Sequence, residues 1–162
     1  TKKIYPEIDF ANIRQLDSER KSDRDENRRL IIVLNKELEG WQLTNTIAHI
    51  SAYLGAQIGD NQLRTRESFE TKDGKINANS QYPIVTMSAN SSEQLYNLLQ
   101  KIEEAGLEHL AYTQEMIDYA TDDEIQKDYE NKKREDLTYL GIGIFGDNET
   151  LKKLTNKFSL FK

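Results

Sequence analysis

Apolar strands alternating with amphipathic helices predict a layered α/β domain, and three stretches carry that expectation. Leu30-Ile31-Ile32-Val33-Leu34 is continuously apolar and β-branched in its middle, as a strand buried on both faces should be. Leu43, Ile47, Ile50, Leu54 and Ile58 recur at spacings of four, three, four and four, a helical stripe that would face the sheet. Near the other end, Leu140-Gly141-Ile142-Gly143-Ile144-Phe145-Gly146 leads into a last amphipathic helix bearing Thr150, Leu151, Leu154 and Phe158.

Along the chain, residues 1–28 stand apart as an N-terminal arm before a domain spanning 29–162. Ile4, Tyr5, Ile8, Phe10, Ile13 and Leu16 suit a segment packed on the domain or on a partner. The stretch from Asp17 to Arg29 has no apolar residue, and its mixed charges suit a solvated helix or linker. After the first strand and helix, residues 60–81 are polar. There Lys72-Asp73-Gly74-Lys75 reads as the turn of a surface hairpin or mobile flap. Pro83 to Met87 is the next strand. Asn90 or Ser91 then caps a helix bearing Leu95, Leu98, Leu99, Ile102 and Ala105, which Gly106 ends. Leu107 to Thr113 alternates as a strand, residues 114–135 form a polar helical insertion, and Asp136 to Phe145 is the last strand. Leu160-Phe161 is expected to pack as a short tail.

The bulk numbers exclude several classes. A chain of 162 residues is one ordinary domain with room for a core. It has no cysteine, so no disulfide or thiolate metal site is available. His49 and His109 are the only histidines, so neither a metal nor a cofactor is expected. No apolar run approaches the ~20 residues that span a bilayer, so the expectation is a cytoplasmic protein with no membrane partner. A net charge of −6 disfavours a broad nucleic-acid surface. Lys152, Lys153, Lys157 and Lys162, and the Lys132-Lys133-Arg134 cluster, read as solvated faces, with tRNA contact as the disfavoured alternative. No phosphate-binding glycine loop is present.

Chemistry concentrates on the first long helix. His49 projects roughly 110° from the centre of the apolar stripe, by the ~100° step of a helix. Asn45 one turn before it, Tyr53 one turn after it and Gln42 above complete a polar strip. Asn45 is close enough to bond the ring and fix its tautomer. Trp41 is expected to pack its turn against the core, with ligand stacking as the alternative. Gly141 and Gly143 read as close packing, with ligand approach as the alternative.

From Leu30 to Lys162 the chain resembles the type II peptidyl-tRNA hydrolases. The resemblance rests on Ala48-His49 in a helix after the first strand, on Leu140-Gly141-Ile142-Gly143 before the last helix, and on Pro83–Met87 with the helix at 91–106 between them. It implies a three-layer α/β/α domain on a four-stranded mixed sheet, and a homodimer. Two departures touch the chemistry. Glu39 and Gln42 stand where the hydrolases carry lysines, and Thr113-Gln114-Glu115-Met116 stands where they carry an aspartate-alanine-glycine turn. Losing a cation there removes an anchor for phosphate or for an oxyanion. The same departures resemble an uncharacterised branch, the domain-of-unknown-function family 2000. Asn35-Lys36-Glu37-Leu38, Trp41-Gln42, Asn45-x-x-Ala48-His49, Thr113 to Met116 and the polar insertion carry that likeness. It implies a retained fold with an altered pocket and no particular activity.

Three functions are therefore expected to compete. In the first, a hydrolase of an ester or amide, such as a peptidyl ester, uses His49 as general base and Glu115 as its partner or acid. Asn45 orients the imidazole, and His49 is expected to line the largest pocket beside Asn45 and Glu115. Trp41, Gln42, Tyr53, Thr113, Gly141 and Gly143 would line the ligand. The second is a non-catalytic module that binds a small molecule or regulates a partner. The third is a genuine peptidyl-tRNA hydrolase or tRNA binder using Lys152, Lys153 and Lys157.

Overall fold

The computed structural model describes residues 23–162. In chain order these form β1 (Arg28–Asn35), α1 (Gly40–Ile58), the short α2 (Asp60–Leu63), β2 (Ser68–Glu70), β3 (Lys75–Asn77) and β4 (Ile84–Ala89). There follow α3 (Ser92–Glu104), β5 (Glu108–Thr113), α4 (Gln114–Asp118), α5 (Asp122–Tyr129), a 3-10 turn (Arg134–Asp136), β6 (Tyr139–Asp147), α6 (Asn148–Thr155) and β7 (Ser159–Leu160). The reading of residues 1–22 as a packed and then solvated arm lies outside the described residues. Residues 23–27 lie against the domain: the Asp25 backbone N–H donates to Gln81 Oε1 at 2.7 Å, and Asp23 pairs with Arg66.

The main sheet runs β5-β6-β1-β4-β7, with β1 and β4 parallel and every other pair antiparallel. It has five strands, which corrects the expected four. The fifth, β7, comes from the expected tail: Ser88 lies opposite Ser159, and the Phe161 N–H donates to Thr86 O at 3.0 Å. Two residues are too few to show an alternating pattern, so nothing in the local sequence announces a strand. β2 and β3 form the expected hairpin, apart from the main sheet.

Side chains of β1 alternate between two cores. Leu30, Ile32 and Leu34 join Ile50, Leu54 and Ile58 of α1 on one face, and Ile31 and Val33 join α3 and α6 on the other. The three-layer stacking therefore explains why the first strand is apolar at every position. Ser91 is the cap of α3, its Oγ accepting the Gln94 N–H at 3.2 Å, and Gly106 at φ +67 ends the turn beyond that helix. The polar insertion is split. Thr121 starts α5 with a capping box to Glu124, and the 3-10 turn delays β6 to Tyr139 rather than Asp136.

The helical stripe is rotated from its expected centre. Thr46, Ile50, Leu54 and Ile58 are the buried row of α1, while Leu43 and Ile47 are half-buried. The strand beneath explains the shift, because Gly141 and Gly143 leave room for the helix to settle onto β6. A Cβ on Gly141 would lie 3.2 Å from both Thr46 Cγ2 and Ile50 Cδ1. The hydroxyl of Thr46 is buried there without a hydrogen-bond partner, a local cost that tighter packing offsets.

Tyr139, 2 % exposed, donates its hydroxyl to Arg134 O at 2.7 Å, and burial pushes its pKa from 10.0 up to about 12. The raised value favours the protonated phenol in the folded state. Its contribution is fully present below pH 10 and is lost as pH rises towards 12, amounting to about 3 kcal/mol. Urea unfolding at pH 9 and pH 11.5 should therefore show a larger alkaline loss in the native chain than in Tyr139→Phe. Equal losses would mean that the phenol ionises freely in the fold.

Candidate functional site

The topology gathers one end of the sheet into a site. β1, β4 and β5 all run the same way, so the turns after them lie together, with the start of β6 alongside. The chain leaving β1 forms α1 on one face, and the chain leaving β4 forms α3 on the other. Such a reversal opens a crevice at the strand ends, the usual place for a ligand in an open α/β sheet.

His49 lies on the flank of α1 above β5 and is exposed. Its ring stacks on Tyr112 with centroids 4.9 Å apart and planes 16° from parallel. The Tyr112 hydroxyl donates to Asn45 Oδ1 at 3.2 Å, and burial pushes that phenol's pKa up, so the hydroxyl stays a donor. Asn45 thus orients Tyr112 and not the imidazole, which corrects the expected pairing. The aromatic face of Tyr112 positions His49 instead. Sequence reading missed Tyr112 because alternation along β5 says which face it takes, not which helix flank lies over it.

Glu115, 5 % exposed, has other partners. Its carboxylate accepts the Thr138 N–H at 3.1 and 3.3 Å, and takes Lys132 Nζ at 3.3 Å. Thr113 is buried beside it, its Oγ1 hydrogen-bonded to the Tyr129 hydroxyl at 2.6 Å. Both side chains hold the insertion against the start of β6. Gly141 and Gly143 lie directly beneath α1, so close packing accounts for both. Gln42 is half-buried, Tyr53 is exposed, and Trp41 is 64 % exposed. The expectation that Trp41 packs inward is corrected by helical geometry: nine steps of ~100° set it opposite Ile50.

The family described as protein of unknown function (DUF2000) matches residues 28–162. The chain belongs to that family. A solved structure of a protein of unknown function from Agrobacterium tumefaciens strain C58 is similar at a TM-score of 0.72. The match covers 84% of this chain and 98% of that one at 21% sequence identity, a likeness of fold. No curated protein matches.

In this DUF2000 domain α1 has a property that its sequence displays openly. Its 19 residues include no Asp, Glu, Lys or Arg, whereas 31% of the whole chain is charged. The solvent side of a surface helix ordinarily carries charge. Here it carries Trp41, Ala48, His49, Ala52, Tyr53 and Ala56, all exposed. No helix among the described residues is long and apolar enough to cross a membrane.

A cleft of about 330 Å³ lies at the strand ends, on the side of β7, lined by Lys36, Ser88, Ser159, Leu160, Phe161 and Lys162. None of these is His49, Asn45 or Glu115, so this cleft is separate from the flank of α1 that carries His49. Lys152, Lys153 and Lys157 are exposed on and after α6. The Lys132-Lys133-Arg134 cluster is neutralised by Asp128, Glu135 and Glu103. His109 Nδ1 lies 2.8 Å from Leu107 O, with Glu103 4.0 Å from Nε2. Among the described residues no group of three His, Cys, Asp or Glu could hold a metal.

Proposed function

We propose that this domain is a non-catalytic ligand-binding module on a scaffold resembling that of the type II peptidyl-tRNA hydrolases. The observation that carries this reading is the dispersal of the groups a hydrolase would need at His49. Asn45 is taken by Tyr112, Glu115 by Thr138 and Lys132, and no hydrogen bond reaches the His49 ring among the described residues. General acid–base work needs a partner within hydrogen-bond reach of the base, or one bridging water. What the flank of α1 offers instead is a flat imidazole backed by Tyr112, a surface suited to stacking a small planar ligand. A cytoplasmic setting fits this reading.

The test is hydrolysis of peptidyl-tRNA and of simple aryl esters by the folded protein, beside His49→Ala. Expected is background turnover, identical in the two proteins. Turnover that disappears with His49→Ala would restore the hydrolase reading. Trp41, the only tryptophan, reports on the same face. Its emission is expected to be that of a solvated indole, and a planar ligand stacked on the α1 flank should shift it to the blue in the native protein but not in His49→Ala.

The uncharged outer face of α1 favours a second reading, self-association. On a chain of net charge −6, this is a surface where two copies meet without like-charge repulsion. Sedimentation of the native chain and of Ala52→Glu decides it: a dimer lost on adding the charge supports association through α1.

A further inference from the structure

We propose that the cleft between the end of β1 and β7 is a binding site for a small organic anion, a carboxylate or phosphate group joined to a short apolar moiety. The site lies apart from the flank of α1 around His49 and goes beyond the ligand-binding reading above. Three observations converge on it.

The first is position. Lys36 directly follows β1, and Ser88 is the penultimate residue of β4, so the cleft opens at the carboxyl ends of the two parallel strands. The helices leaving those strands go to opposite faces, which makes this the switch point of the sheet.

The second is chemistry. Ser88 and Ser159 are directly opposed in the β4–β7 ladder, so their side chains share one face of the sheet. Neither hydroxyl has a hydrogen bond among the described residues, and neither Lys36 nor Lys162 has an ion pair there. No side chain of the lining is a carboxylate. Two ammonium groups and two hydroxyls without protein partners, in a chain of net charge −6, form a local positive site that an anion would complete. Phe161, two residues beyond Ser159 and so on the same face, supplies the apolar wall.

The third is rigidity. The backbone fixes both walls before any ligand arrives: the Lys36 N–H donates to Ala89 O at 2.9 Å, and the Phe161 N–H to Thr86 O at 3.0 Å. A cleft of about 330 Å³ sits at the lower end of the range for small-molecule sites, enough for a single ring or short chain with one acidic group.

The experiment follows backbone amide shifts of the full chain on titration with inorganic phosphate, phenyl phosphate and phenylacetate. Expected is saturable movement of Lys36, Ser88 and Ser159 with the two organic anions. Phosphate alone should bind at least ~10-fold more weakly, and added salt should weaken all three. Lys36→Ala should weaken the organic anions about 10-fold, and Ser88→Ala should weaken them by a smaller factor. If phenyl phosphate binds and phenylacetate does not, the ligand is a phosphate ester; the reverse marks a carboxylic acid. Movement that is linear in concentration to ~20 mM, or unchanged in a folded Lys36→Ala, would overturn the site. The ligand-binding reading would survive that result, because the Trp41 emission test reads a different face.

Discussion

Gly143→Ala is expected to destabilise the domain by about 1–3 kcal/mol, the usual cost of forcing a methyl group into a packed core. The new Cβ would overlap Ile50 Cγ2 and come within 2.8 Å of Leu54 Cδ1, both on the helix that covers β6. Ile50 Cγ2 is held directly on the branched Cβ rather than at the end of a flexible chain, and both residues are fully buried. The helix would have to lift from the sheet or the strand would have to bend. Gly141→Ala should cost less, because its new Cβ would meet Leu34 Cδ2 at 3.0 Å and two methyl groups at 3.2 Å. Urea unfolding checks the order. Ile50→Ala is itself costly, yet the double variant with Gly143→Ala should lose less than the sum of the singles, because it removes the overlapping methyl. Strict additivity would mean that α1 does not rest on Gly143 as described.

Glu115→Ala is expected to cost a further large amount, about 2 kcal/mol. The Thr138 N–H loses its acceptor at the start of β6, and Lys132 keeps only Asp128. The ammonium is a third exposed, so the ionic part of that loss is screened and the lost hydrogen bond from the Thr138 N–H dominates. Glu115→Gln keeps a carbonyl for Thr138 and should lose under half as much. Thermal unfolding of both variants tests the ranking. A Glu115→Gln protein of native stability but altered response to ligands would instead mark the carboxylate as a working group of the site.

These two residues show where sequence reading reaches and where it stops. Gly141 and Gly143 stand out in an apolar strand because a position without a side chain in a core strand implies close approach. Their partner, α1, could be named because it is the long apolar helix. Glu115 stands out as a carboxylate at a helix start, yet its partners are distant: Lys132 near the end of the loosely patterned insertion and Thr138 just beyond it. His49 is equally legible as an imidazole beside a buried stripe, whereas Tyr112 beneath it is not. The absence of charge on α1 could have been read directly from Gly40 to Ile58, and it points to that face more strongly than any single residue does.

The sequence by itself determined the alternation of strands and helices, the fully apolar β1, the α3 cap, the β2–β3 hairpin and the glycine strand. Each of these depends on neighbours within a few residues, through backbone preference or the period of a single element. Tertiary structure alone decided that β7 joins the sheet, that Tyr112 rather than Asn45 holds His49, and that Glu115 braces β6. It also decided that Lys36 shares a cleft with Ser159, more than a hundred residues away. Such pairings are set by strand order and by the face each crossover takes. Those are decided by how two cores close around one sheet, and no local pattern encodes them.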